Sequence, residues 1–234
     1  MTRFQDRQAA GRALASALEG RGYENPLVLA LPRGGVPIGA EVARALGAPM
    51  DLVMVRKIGV PRQPELAAAA IVNGDDPQLV VNEQIAAMAG LSAKDIDALA
   101  QTQLDEIRRR RGLYLQGQPE IEIRGRTAIV VDDGIATGAT VRAALKATRQ
   151  RGTARLILAV PVAPQDTLSA LQGEVDEIVC LQTPEFFYAI GAHYVDFAQV
   201  PDAEVIRLMQ EARADQGAGG DSGAAAPGAQ GRQP

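Results

Sequence analysis

The chain has 234 residues, 47% of them apolar and 22% charged, with a net charge of −4, which suits one sizeable α/β domain and argues against a large nucleic-acid footprint. No uncharged apolar run approaches the roughly 18 residues of a membrane helix, and the stretch Met1 to Arg7 lacks the apolar core of a signal peptide. The single cysteine, Cys180, sits in an apolar run and permits no intramolecular disulfide, so it reads as buried filler in a protein of the reducing cytoplasm.

Residues 6–18 carry a helical pattern, with Ala9, Leu14, Ala17 and Leu18 as the candidate apolar face, and Gly20-Arg21-Gly22 ends it. Leu27-Val28-Leu29-Ala30-Leu31 is wholly apolar, as strands buried on both faces of a parallel sheet are. Pro32-Arg33-Gly34-Gly35 follows, then a helix over 36–46. The next strand is Asp51-Leu52-Val53-Met54-Val55, and Arg56-Lys57-Ile58-Gly59 stands at its end. Residues 60–65 are rich in breakers and read as mobile. Residues 68–72 and 79–81 form a candidate hairpin across Asn73-Gly74-Asp75-Asp76-Pro77. Ser92 and Asp95 make a capping box for a long helix reaching Tyr114. Arg108 to Arg111 fall in its last turns, where cations complement the helix dipole; phosphate binding is the alternative.

Further on, 154–160 is another buried strand, ended by Pro161 and Pro164. A short helix over 166–171 and a last core strand over 177–181 follow. This alternation predicts an α/β fold, a doubly wound parallel sheet with ligands at the strand C-terminal ends. The chain has four Phe, four Tyr and no Trp, yet Phe186, Phe187, Tyr188 and Tyr194 cluster in 183–194, and Phe197 lies just beyond. That segment is either a ring-stacking surface or a lid packed on the core. His193, the only histidine, lies within it. A final helix spans 202–212. From about Asp215 to Pro234, Gly, Ala, Gln and Pro dominate, which predicts a disordered tail.

One stretch organises the rest. Ala128-Ile129-Val130-Val131 is an apolar run that ends in Asp132-Asp133. Gly134-Ile135-Ala136-Thr137-Gly138-Ala139-Thr140 follows, and a helix begins at Val141. Strand, small-residue loop and helix in that order aim backbone N–H groups and the positive end of a helix at one spot, which suits a phosphate dianion. Thr137 and Thr140 add hydroxyl donors. Ionised Asp132 and Asp133 only accept, so they suit sugar hydroxyls. Phosphate at one end and a diol at the other describe a ribose 5-phosphate. No Gly-Lys-Ser/Thr closes the loop, and the glycines do not have dinucleotide-site spacing.

The run Val130 to Thr140 resembles the signature of the type I phosphoribosyltransferases for 5-phosphoribosyl-1-pyrophosphate (PRPP). The order of motifs from Leu27 to Phe197 is closest to bacterial members of undefined acceptor. The resemblance implies transfer of the 5-phosphoribosyl group to a nitrogen acceptor, with a nucleobase as the expected class, and release of pyrophosphate with magnesium as cofactor. In that frame Asp132 and Asp133 hold the ribose diol and the metal. Gly134, Ala136, Thr137, Gly138, Ala139 and Thr140 hold the 5-phosphate. Arg33, Gly34 and Gly35 form the pyrophosphate loop, with a cis peptide expected at Pro32–Arg33. A basic residue after the next strand meets the pyrophosphate, with Lys57 the candidate and Arg56 beside it. The resemblance also implies a smaller hood: residues 60–126 replace the loop that closes the site in relatives and read as part of that hood or as a contact surface, and 183–200 carry the acceptor contact, with Phe186 or Phe187 stacking on the base. His193 stands where hypoxanthine–guanine enzymes place an Asp near magnesium, and it is either structural or a ligand or acid–base group. Those enzymes also place a catalytic Asp where this chain has Ala136, whereas adenine and uracil enzymes tolerate Ala there, so either a base comes from elsewhere, with Glu65 a candidate, or none is needed. The domain is expected to span 1–214. Expected partners are PRPP and a small-molecule acceptor, without nucleic acid or membrane, and with room for a homodimer. A rival reading is a PRPP-binding sensor or regulatory module that has lost turnover.

Overall fold

The computed structural model describes residues 2–61, 63–73 and 77–219, without the side chains of 64, 65 and 216–219. The chain opens with α1 (Arg7–Leu18), capped by the Asp6 side chain, which accepts from the Ala9 N–H at 2.7 Å. Its buried stripe is Ala10, Gly11, Leu14, Ala15 and Leu18, one residue round the helix from the predicted face, so Ala9 and Ala17 lie at its margin. Then come β1 (Pro26–Ala30), α2 (Gly35–Leu46) and β2 (Met50–Leu52). After a long excursion the core resumes with β6 below.

The excursion begins with β3 (Val55–Val60), β4 (Gln63–Val72) and β5 (Gln78–Val81), which pair antiparallel as a separate sheet. One short-range expectation changes here. The apolar run 51–55 is not one strand: β2 stops at Leu52, and Val55 already belongs to the second sheet. Within the breaker-rich 60–65, Val60 ends β3 and pairs with Gln63 at the start of β4, with a turn at Pro61; residue 62 lies outside the described residues. The predicted hairpin is present, with Ala69 opposite Val81 and Val72 opposite Gln78; its tip at 74–76 lies outside the described residues. Helices α3 (Glu83–Met88) and α4 (Ala93–Leu115) follow, and α4 starts at the expected Ser92–Asp95 capping box. Its arginines do not serve the helix end. Arg108 pairs with Asp105, and Arg109 and Arg110 pair with Glu106. Arg111 is buried, 3.9 Å from Glu120.

The chain re-enters the core at β6 (Thr127–Val131), then runs through α5 (Ala139–Gln150), β7 (Arg155–Val162), α6 (Gln165–Leu171), β8 (Glu177–Gln182) and α7 (Asp202–Gly219). Pro161 does not end β7. The pairing with β8 steps from Val160↔Cys180 to Val162↔Gln182 and passes over the residue that has no N–H. Likewise α7 continues to Gly219, past the point where composition predicts disorder; residues 220–234 lie outside the described region.

The core sheet has the order β2-β1-β6-β7-β8, and every pair is parallel. Strand alternation splits the core into two layers. Val28, Ala30, Ile129, Val131, Ile157 and Ala159 pack with α1, α2 and α7 through Leu14, Val42 and Leu208. Leu29, Ala128, Val130, Leu156, Leu158 and Val160 pack with α5 and α6 through Val141, Leu145 and Leu168. Helices on both faces make the sheet doubly wound, as predicted. The small sheet lies between α4 and α5. Among the described residues no helix is long and apolar enough to cross a membrane.

Candidate active site

Strands β1 and β6 are neighbours in register, Ala30 beside Val131, so the loops that follow them emerge side by side. The Leu31 N–H donates to the Val131 carbonyl at 2.9 Å, and the Gly35 N–H closes the first loop onto the Leu31 carbonyl at 3.0 Å. The Pro32–Arg33 peptide is cis. Contact between the loops is tight enough to require glycine: a Cβ on Gly34 would lie 2.0 Å from Asp133 Oδ2. The two glycine-bearing motifs, about a hundred residues apart in sequence, thus form one surface.

Within it the acidic pair divides. Asp132 is half-buried, and its Oδ1 accepts from the Asp133 N–H at 2.9 Å. Burial, and then the neighbouring Asp133 carboxylate, push the Asp132 carboxyl well above the usual range. Asp133 is buried, and its Oδ2 receives Arg7 Nε at 2.8 Å. Burial raises its carboxyl too, while the Arg7 hydrogen bond and charge oppose the shift. The Asp133 carbonyl accepts from the Tyr194 hydroxyl at 2.6 Å. Burial, followed by the nearby aspartate, raises the Tyr194 hydroxyl.

The following loop is held from behind and open in front. The Ile135 N–H donates to the Val162 carbonyl at 3.0 Å, and Thr167 Oγ1 donates to the Ala136 carbonyl at 2.8 Å. Gly138 takes φ +76° at the N-cap of α5, a conformation that suits glycine, and no side chain caps that end. Ala136, Thr137 and Ala139 are exposed and Thr140 is half-buried. The first turn of α5 thus begins without a side-chain cap among the described residues and next to an exposed loop, the setting in which a helix N-terminus takes an anion.

Other predicted residues are placed less simply. Lys57 is not at a core strand end; it lies in β3, paired with Ala70. It lines a cavity of about 440 Å³ with Ala139, Arg142 and Lys146, which puts it beside α5 and not in the Arg33-Gly34-Gly35 loop. Arg56 Nη2 lies 3.3 Å from Glu106, and its Nε is buried without a hydrogen-bond partner among the described residues. Arg33 Nη1 reaches Asp202 Oδ1 at 3.4 Å, an oxygen that also accepts from the Tyr114 hydroxyl at 2.7 Å. Glu65 lies in β4, and its side chain is outside the described set. The two candidate stacking rings separate: Phe186 is 71% exposed, whereas Phe187 packs on the core and stacks on His193 with centroids 5.5 Å apart. Burial, then the charge of Arg3, lowers the His193 imidazole. Cys180 is half-buried, and burial pushes its thiol up.

Arg7, Tyr194 and Thr167 escape a sequence reading, because each acts on residues far away in the chain. Tyr194 shows in the sequence only as one ring of the aromatic cluster, and Arg7 leaves a trace of another kind. It is the first residue of α1, where a cation opposes the helix dipole.

A family model described as a phosphoribosyl transferase domain matches residues 2–197. A protein of Mycobacterium tuberculosis with a provisional phosphoribosyl transferase name is 45% identical over 92% of this chain, found alike in two strains. The chain spans about half the length of these curated relatives, 48%. The crystal structure of the protein TT1426 from Thermus thermophilus superposes with a TM-score of 0.79 at 40% identity, covering 90% of this chain and 99% of that one.

Proposed function

The chain belongs to the phosphoribosyl transferase domain family, and from that premise we propose that it transfers the 5-phosphoribosyl group of PRPP to a nitrogen nucleophile, a nucleobase as the favoured class, and releases pyrophosphate. One observation carries the reading. The glycine loop after β1 and the Thr-Gly loop after β6 share a surface, with Asp132 half-open between them. A ligand with a phosphate at each end and a diol in the middle matches that order of groups.

In this reading the N–H groups of Ala139 and Thr140, with the Thr137 and Thr140 hydroxyls, receive the 5-phosphate; Gly134, Ala136 and Gly138 let the backbone approach. Asp132 accepts from the ribose hydroxyls. Arg33 and the backbone of Gly34 and Gly35 receive the pyrophosphate. The acceptor nitrogen forms a bond to the anomeric carbon, the bond from that carbon to the pyrophosphate oxygen breaks with its electron pair, and the acceptor's proton is lost. Positive charge develops on the sugar as the leaving group departs, so a nearby carboxylate stabilises the transition state by preorganised electrostatics. Ala136 supplies no base. Glu65 remains the candidate proton acceptor, and Lys57 and Arg56 the candidate cations.

Magnesium fits the donors present. Among the described residues no group of three or more His, Cys, Asp or Glu gathers as an all-protein cage. Such a cage is not needed, since magnesium is commonly held by one or two carboxylates with substrate phosphates. Asp132 is the carboxylate best placed to hold it, with Asp133 beside it, and when bound it would neutralise charge on the leaving pyrophosphate.

The test is release of pyrophosphate from PRPP and magnesium across a panel of purine, pyrimidine and other nitrogen acceptors. Release that depends on one acceptor is expected. PRPP binding without release on any acceptor would favour the sensor reading, for which Ala136 speaks, and absence of PRPP binding would overturn both.

A further inference from the structure

Arg7 stands where local rules disfavour it. As the first residue of α1 it places a cation at the positive end of a helix. Its guanidinium is largely buried and reaches three partners across the fold. Nε donates to Asp133 Oδ2 at 2.8 Å, Nη1 donates to the Ala198 carbonyl at 2.7 Å, and the group lies over the Phe197 ring at 3.9 Å from its centroid. Asp133 is fixed from two further sides. Tyr194 holds its carbonyl, and its carboxylate fills the space where any other residue at position 34 would carry a Cβ. Asp132 differs. Its Oδ1 accepts one backbone N–H, and no other bond to its carboxylate is made among the described residues.

We propose that Arg7 is a positioning residue that commits the Asp133 carboxylate to the protein, so that Asp132 alone of the acidic pair meets the ribosyl ligand. The inference rests on the phosphoribosyl reading of this site. Two adjacent carboxylates repel each other, and a buried one without a counter-charge is costly. Arg7 balances the inner charge and leaves the outer one to the ligand. It also seats the pyrophosphate loop, because the carboxylate it holds is the surface on which Gly34 rests. The N-terminal helix, the β6 loop and the 194–198 segment thus meet at one guanidinium.

A double-mutant cycle on PRPP affinity, measured by calorimetry with magnesium on the full chain, tests this. Arg7→Gln and Asp133→Asn should each weaken PRPP binding roughly 10-fold or more, the size of a lost charged hydrogen bond. The double variant should be little worse than either single one, because both break the same link. Asp132→Asn should cost at least as much, and its loss should multiply with that of Arg7→Gln. Arg7→Lys, which keeps the charge, should recover part of the affinity, a rescue that a purely structural role would not require. Should Arg7→Gln fail to fold, Phe197→Leu removes only the ring under the guanidinium and should give a smaller loss of the same sign. Unchanged affinity in Arg7→Gln (or in Phe197→Leu, if that substitute is needed), or losses that multiply between positions 7 and 133, would overturn the role of Arg7 while leaving the phosphoribosyl reading intact. A wild-type chain that does not bind PRPP would instead overturn that reading, and the inference with it.

Discussion

At Gly34 one missing methyl group sets the distance between the loops that follow β1 and β6. A Cβ placed 2.0 Å from Asp133 Oδ2 must displace a carboxylate that Arg7 already holds. Gly34→Ala is therefore expected to destabilise the chain by about 1–3 kcal/mol, the usual cost of overpacking, and to weaken PRPP binding; denaturant melts and calorimetry would show both, and an unaltered melt would mean the loop yields freely. The aromatic pair makes a second contrast. Of Phe186 and Phe187 it is Phe186 that presents an exposed ring, so Phe186→Ala should weaken the acceptor roughly 5- to 150-fold, the range of ring–base stacking, with PRPP affinity unchanged. Phe187→Ala should instead lower stability, because that ring packs on His193 and the core. His193 permits a clean pH measurement, since it is the only histidine. Its folded-state value lies below the ordinary 6.5, through burial and then Arg3. The unfolded chain therefore binds the proton more readily than the native one. The imidazole's contribution is complete above about 6.5, and it is lost as pH falls through the lower folded value. Compared with His193→Gln, the wild type should lose stability on going from neutral to mildly acidic pH, and parallel curves would refute the assignment.

Among the elements, α4 is tied to its start by a reciprocal cap. Ser92 N donates to Asp95 Oδ2 at 2.9 Å, and Asp95 N donates back to Ser92 Oγ at 3.3 Å. Ser92→Ala is expected to cost about 1 kcal/mol, readable as a lower denaturant midpoint with an unchanged slope; an unchanged midpoint would mean that tertiary packing of Ile96, Leu104 and Ile107 alone fixes the helix. This cap was legible in the sequence because it is a contact three residues long. So were the core strands, whose apolar runs have no polar face to mislead, and the Thr-Gly loop, whose chemistry lies in consecutive residues. The passage from β2 to β3 was not legible. Val53 and Met54 are as apolar as the strands on either side, and hydrophobicity does not mark where a chain leaves one sheet for another. Lys57 was misplaced for that reason. The Arg7–Asp133 pair is invisible for a different one: a partner 126 residues away leaves no local pattern.

Across the whole molecule, the candidate ligand surface exists only when distant segments are assembled. It takes the loops after β1 and β6, adjacent only because the sheet order places them so, and their support comes from Arg7 near one end of the chain and Tyr194 far along it. The unfolded chain has none of this, so PRPP should bind the native state alone and stabilise it by mass action. At a free ligand concentration a hundred times the dissociation constant the gain is about 2.7 kcal/mol. For a chain of this size that corresponds to roughly 5–11 °C in melting temperature. Asp132→Asn at the same PRPP and magnesium concentrations should lose most of the shift, because it removes the open carboxylate between the phosphate loops while leaving the Arg7–Asp133 link in place. Magnesium without PRPP should shift the melt little, since a single free carboxylate makes a weak site until substrate phosphates join it. A full shift retained in Asp132→Asn would move the diol contact away from the acidic pair, and a large shift with magnesium alone would point to a metal site assembled elsewhere.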